Sequence, residues 1–290
     1  MGECIVTAPR LWDKVTVGQT RAIALVAAMG LTTTEGIAAC GDAPLPCALP
    51  GGSYHVALPE GASPFPAVVF LHGFGGSGEG ALRNTAMVEA LLARGYAVIA
   101  PDGQPRPGQT GRSWDFHPQR PATRNEAAFI QAVANDASRR FGLTRDRMIL
   151  AGFSIGGSMV SYLACAEPEE FSAYAPVAGS FWRPHPESCE APVRLLHTHG
   201  WTDQTVPLEG REIRNGFVQG DVFEALQIWR RANNCTALPP DSFAVRADFQ
   251  IRSWTECHPG ARIDFALHPS GHLVPPGWAD MLLDWFESQE

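Results

Sequence analysis

Residues 148–157, MILAGFSIGG, constrain this chain more than any other stretch. An apolar, β-rich run passes straight into Gly-x-Ser-x-Gly, and a helical pattern follows over 155–165. A serine so placed sits on a sharp strand-to-helix turn with its hydroxyl exposed at the top of a sheet. Side chains two residues either side of it would crowd the turn, which is why glycines stand at 152 and 156. The remainder of the chain repeats the alternation. β-rich runs at 67–71, 96–100, 174–178, 193–198 and 261–267 alternate with helical patterns at 81–93, 123–141, 221–233 and 277–288. The spacing predicts an α/β fold: a mostly parallel central sheet with helices on both faces. In such sheets the chemistry gathers in loops beyond the strand C-termini.

Ser154 is therefore the candidate nucleophile, against the plainer reading of a helix N-cap serine. A serine hydroxyl needs a base at neutral pH. In this layout the acid follows the serine, and the histidine follows the acid. Among the later histidines, only His272 lies in a Gly-flanked loop (PSGHLVPP) between the last strand and the last helix. His268 ends that strand and reads as structural. His197 and His199 share one strand face, where a metal pair is conceivable but no third ligand offers itself. The acid belongs after the strand at 193–198, which selects Asp203 in HGWTDQTVP. Asp221 reads as a helix cap, Asp264 lies within a strand and Asp280 on a helix face. Two backbone donors would complete an oxyanion hole: the Ile155 N–H, and the Phe74 N–H in LHGFGGSG.

That second loop has a rival reading. Gly73, Gly75 and Gly78 spell G-x-G-x-x-G, and Asp102 ends the next strand, as a dinucleotide fingerprint would require. Against it stand His72 before the first glycine, a Gly/Pro-rich loop after Asp102 where a helix should follow, and the unexplained settings of Ser154, Asp203 and His272.

Composition narrows the chemistry. Lys14 is the only lysine, and it precedes the expected fold, so a P-loop NTPase, a kinase, a Schiff-base enzyme and a Ser–Lys hydrolase all lack their lysine. A net charge of −8 argues against a nucleic-acid partner. No cofactor or metal is expected. Residues 22–31, AIALVAAMGL, follow Arg21 and precede IAAC, the order of a secretory signal; the run is too short to span a bilayer. Residues 1–39 are thus read as leader and signal peptide, and 40–290 as one catalytic domain, secreted or periplasmic. IAAC also resembles a lipoprotein box, which would place lipid on Cys40. Past Cys4 six cysteines remain, and six allow 15 pairings. Sequence neighbours make the plausible bridges, Cys40–Cys47, Cys165–Cys189 and Cys235–Cys257, with buried free thiols as the alternative.

From about Cys40 onward the chain resembles the secreted polyhydroxybutyrate depolymerase and feruloyl esterase-like family of α/β hydrolases. The motifs are LHGFGGSG, PDG (101–103), GRSW (111–114), DRMILAGFSIGGSM, YAPVAG (174–179), HGWTDQTVP and GHLVPPG. Cys165, Cys189, Cys235 and Cys257 also fall where that family places cysteines. Two positions depart: Val274 stands where the family more often has tryptophan, and Ser158 where it has alanine. The resemblance implies ester hydrolysis through an acyl-enzyme, with an ester substrate that could be polymer-attached. It does not fix the acid or the alcohol. A peptidase, a lipase, or a ligand-binding protein without activity remain alternatives. Trp114, Trp182, Trp201 and Trp278 fall at or beyond the loops at the strand C-termini and are candidate stacking platforms, or ordinary packing. The intervals 179–192 and 210–220 are too short for a lid helix pair, which predicts an open groove.

Overall fold

In a computed structural model of the chain, residues 1–2, 40–41, 43–108, 110–213 and 216–288 are described. Apart from residues 1–2, the leader reading falls on residues outside that set. The strands are β1 Cys47–Leu49, β2 Gly52–Ala57, β3 Phe65–Leu71, β4 Ala97–Pro101, β5 Gln104–Pro105, β6 Arg112–Ser113, β7 Leu143–Phe153, β8 Ala173–Val177, β9 Trp182–Arg183, β10 Arg194–Gly200, β11 Arg211–Glu212, β12 Val218–Gln219, β13 Ser242–Arg246, β14 Phe249–Trp254 and β15 Arg262–His268. The helices are α1 Gly78–Leu82, α2 Thr85–Ala93, α3 Glu126–Phe141, α4 Ile155–Ala166, α5 Val222–Ala232 and α6 Trp278–Glu287.

Ten strands form one sheet in the order β1-β2-β4-β3-β7-β8-β10-β15-β14-β13. From β4 to β15 every pairing is parallel, and the strands outside them run antiparallel. Both faces are covered, so the central strands are apolar on both sides. In β3, Ala67, Val69 and Leu71 join the core beneath α3, α4 and α5, with Phe129, Met159 and Trp229. Val68 and Phe70 join the opposite core beneath α2 and α6, with Leu91 and Leu282. Because β3, β7, β10 and β15 are parallel, the loops beyond Leu71, Phe153, Gly200 and His268 gather at one edge of the sheet.

Several expectations need correction. The helix expected over 81–93 is two helices, broken where the Asn84 side chain caps the second. Strands β1, β2, β13 and β14 were not expected. The intervals 179–192 and 210–220 carry structure after all: β9, β11 and β12 pair into a small sheet. Among the described residues no α-helix is inserted in either interval. Three disulfides close the described chain, Cys40–Cys47, Cys165–Cys189 and Cys235–Cys257. The Cys40 sulfur is thereby committed to Cys47 and is not free for lipid. Among the described residues no helix is long and apolar enough to cross a membrane.

One buried carboxylate ties the 72–78 loop to the sheet. Asp102 accepts hydrogen bonds from the Gly78 N–H at 2.9 Å and the Ser53 hydroxyl at 2.8 Å. His55 Nε2 lies 3.4 Å away and the Arg112 guanidinium 3.6 Å. Burial alone would raise this carboxyl; the contacts with His55, Gly78, Ser53 and Arg112 outweigh it and bring the pKa down to about 2, from 3.8. A depressed carboxylate pKa stabilises the fold above the unfolded value, and that gain is lost as pH falls through the folded value. Asp102→Asn should therefore lower unfolding free energy at pH 7 by about 1–3 kcal/mol. Urea midpoints of the two proteins should converge as pH falls from 4 toward 2. A gap that stays constant over that range would show that the charge of Asp102 is not what matters.

Candidate active site

The turn after β7 is strained. Ser154 has φ 57° and ψ −120°, a conformation that costs roughly 1–3 kcal/mol in a non-glycine residue. Two close approaches hold it there. A Cβ on Gly156 would lie 2.3 Å from the Leu71 carbonyl oxygen, and one on Gly152 would lie 2.7 Å from the Gly156 carbonyl. The Ser154 N–H bonds the Val177 carbonyl at 2.8 Å. Its hydroxyl makes no capping bond to α4.

Ser154 Oγ instead lies 2.8 Å from His272 Nε2, and His272 Nδ1 lies 2.7 Å from Asp203 Oδ2. An ionised carboxylate can only accept, so Nδ1 carries the proton and Nε2 accepts from the serine hydroxyl. Asp203 is buried, and its other oxygen accepts from the Thr205 N–H at 2.8 Å and the Val206 N–H at 2.9 Å. Burial would raise this carboxyl, but the His272 hydrogen bond, the Val206 N–H and the neighbouring imidazoles together hold it below the usual carboxylate range. The Phe153 ring packs on the His272 imidazole with centroids 4.7 Å apart. The elbow motif contains Phe153, but nothing in its spacing marks that contact. The Thr205 and Val206 donors are backbone groups, and residue identity carries no sign of them.

The loop after β3 lies against the serine: a Cβ on Gly73 would be 3.4 Å from Ser154 Cβ. The Gly75 N–H bonds Arg112 O at 2.9 Å and the Gly76 N–H bonds Gly73 O at 3.1 Å. The Phe74 N–H takes part in no hydrogen bond among the described residues. Ile155 opens α4, so its N–H is among the helix-start donors without an intrahelical partner. The dinucleotide reading of this loop does not fit. The helix after it has five residues, and Asp102 is buried and already occupied by Gly78, Ser53, His55 and Arg112. His197 Nε2 bonds His199 Nδ1 at 3.1 Å, and His199 Nε2 bonds the Val206 carbonyl at 2.7 Å. These nitrogens are thus occupied, and among the described residues no group of three or more His, Cys, Asp or Glu could hold a metal ion.

The tryptophans separate. Trp114 is buried and donates its indole N–H to the His72 carbonyl at 2.9 Å, so it anchors the loop and offers no open face. Trp182 is buried among Phe116, His117 and Phe217. Trp278 is also buried. Only Trp201, 59% exposed, presents a free face among these four.

Comparison with known proteins agrees with the topology. The family model described as alpha/beta hydrolase fold matches residues 66–250. The chain belongs to that family. The matched span contains Ser154 and Asp203 and ends before His272. The protein named "Probable feruloyl esterase C" of Aspergillus terreus is 25% identical over 238 residues, covering 78% of each chain. Feruloyl esterase C of Emericella nidulans is 28% identical over 155 residues, which is 52% of this chain and 51% of that one. A relative from Nocardia uniformis, 31% identical over 159 residues, is covered to 44% of its length. The chain thus spans about half the length of several curated relatives it matches. Among solved structures, the acetyl xylan esterase from Aspergillus awamori superposes with a TM-score of 0.62 at 18% identity, over 82% of this chain and 94% of that one. At that identity the likeness speaks for the fold.

The elbow makes a direct prediction. Gly156→Ala should be among the most destabilising small substitutions in the chain, because the backbone at Leu71 must move. A loss of roughly 2–3 kcal/mol or more is expected in chemical denaturation. A variant within 0.5 kcal/mol of the parent, about the effect of an ordinary surface change, would disprove the close approach.

Proposed function

We propose that this chain is a serine hydrolase of carboxylic esters, with residues 40–290 as the catalytic domain and 1–39 as a leader. The observation that carries the reading is the continuous hydrogen-bonded line from Ser154 through His272 to Asp203, at 2.8 and 2.7 Å. Ser154 Oγ attacks the ester carbonyl carbon, and His272 Nε2 takes its proton. The carbonyl oxygen gains negative charge and is held by the Ile155 and Phe74 N–H groups. As the tetrahedral intermediate collapses, His272 returns the proton to the leaving alcohol. Water then attacks the acyl-enzyme with His272 again as base, and Ser154 is regenerated. Asp203 fixes the tautomer and stabilises the imidazolium.

The names of the relatives support feruloyl- or acetyl-type esters as the substrate class. The three disulfides suit an oxidising compartment and support export. Both Ser154 and His272 are partly exposed, which supports access for polymer-attached esters. On soluble aryl or short-chain esters the kinetics should saturate normally. Strong interfacial activation on triglyceride would move the chain to the lipases.

Ser154→Ala should lower ester hydrolysis by about 10⁴–10⁶ with the fold intact by circular dichroism. Retention of a tenth of parental activity would refute the nucleophile. Asp203→Asn should cost about 10⁴ in kcat, since an amide presents the wrong partner to Nδ1. Asp221→Asn is the control, because Asp221 only caps α5 through the Glu224 N–H and asparagine caps as well. Equal losses from the two substitutions would remove Asp203 from the mechanism.

A further inference from the structure

A groove begins beside Ser154 and continues past Val274. Its first part, about 320 Å³, is walled by Phe70, Phe74, Phe153 and Val274, with Gly76 and Ala81 along one side. Phe153 precedes the serine and packs on His272. Gly73, also in the wall, lies against Ser154 Cβ. A second groove of about 220 Å³ is lined by Met87, Ala90, Pro275 and Trp278. The two share Asn84 and Val274. Phe70 of the first and Trp278 of the second meet edge to face at 5.7 Å. The two hollows adjoin at Asn84 and Val274 and together mark a track between the α1–α2 junction and the segment that joins His272 to α6. Val274 stands where they meet.

We infer that this track is the acyl-binding subsite, that it takes an extended, largely apolar acyl chain, and that Val274 sets how far the chain can reach. The inference rests on the esterase reading of Ser154. Phe74 both lines the groove and carries an N–H assigned to the carbonyl oxygen, which sets the groove mouth at the reacting carbonyl; the test below separates acyl from alcohol occupancy. Size decides against acetate as the best-fitting acyl group. A methyl group is about the size of a water, whose share of liquid volume is roughly 30 Å³. The first groove alone is about 320 Å³. A methyl would leave nearly all of its apolar wall wet, whereas each further buried methylene contributes about 0.8 kcal/mol. A larger side chain at 274 would divide the track. Ala90 is the matching position in the far part, on α2 and only partly buried.

The test is the ratio of kcat/KM for p-nitrophenyl octanoate to that for the acetate, in the parent and in two variants. The parent should prefer octanoate. Val274→Trp should lower the ratio by roughly tenfold or more. Ala90→Trp should lower the octanoate-to-acetate ratio while leaving the butanoate-to-acetate ratio as in the parent. An octanoate ratio unchanged in both variants overturns the subsite. So does a shift that appears when the alcohol is lengthened at fixed acetyl instead of when the acyl chain is lengthened. If Val274→Trp fails to fold, Ala90→Trp alone decides, because it lies on a different element. A parent that turns over no ester in the series defeats the esterase reading itself, a result distinct from an unchanged ratio in an active enzyme.

Discussion

The contact between the start of α4 and the end of β3 is the constraint on which the site depends. Gly156 sits so close to the Leu71 carbonyl that no side chain fits between them. This closeness pulls the turn tight, holds Ser154 at positive φ, and brings the loop that follows Leu71 against the serine. Ser154 and a candidate oxyanion donor are therefore positioned by one packing event. The cost is local strain at Ser154, roughly 1–3 kcal/mol. The parallel pairing of β7 with β3 and β8, and the burial of α4 on both of those neighbours' core side chains, offset it.

A second tie works from the opposite direction. Asp102 has the sequence position of a ribose-binding acid, yet it faces inward and holds the Gly78 N–H, with His55 and Arg112 around it. His72 contributes in the same sense: its Nε2 accepts from the Gly103 N–H at 3.0 Å, and its Nδ1 is 2.7 Å from the Gly73 carbonyl. The glycine-rich loop is thereby fixed along its length by buried polar groups. A loop so anchored can present one free N–H in a constant place, which is what a preorganised donor requires.

Sequence legibility follows the physics of each element. The six central parallel strands announce themselves as short apolar runs because both their faces are buried. α3 is bounded by Asn125 and Gly142, a side-chain cap and a left-handed stop, and the sequence reads to within a few residues of it. β13 was unreadable because all five of its residues are exposed, so no alternation marks it. β14 does alternate, with Phe249 and Ile251 inward and Gln250 and Arg252 outward, and its pattern could have been found. At the site, the meeting of Ser154, Asp203 and His272 was legible because loop position after a strand limits the choices to one residue of each type. The tryptophans were not, because exposure depends on what packs above a loop. Trp114 and Trp201 both occupy loops after strands, but one is spent on His72 and the other faces solvent.

The imidazoles around Asp203 show how one carboxylate can serve a single partner. His199 Nε2 lies 3.6 Å from Asp203 Oδ2, close enough to compete with His272 if it were charged. Burial pushes the His199 pKa down, and it pushes His197 and His268 down as well. His199 accepts from His197 on one nitrogen and donates to the Val206 carbonyl with the other, an arrangement that suits the neutral ring. The same Val206 gives its N–H to Asp203. Val206 thus holds His199 on one side and the carboxylate on the other. In the proposed cycle a proton arriving on His272 meets an ionised Asp203 whose other histidine neighbours are kept uncharged. The buried pair, for which the sequence made a metal conceivable but offered no third ligand, forms a neutral, hydrogen-bonded wall behind Asp203.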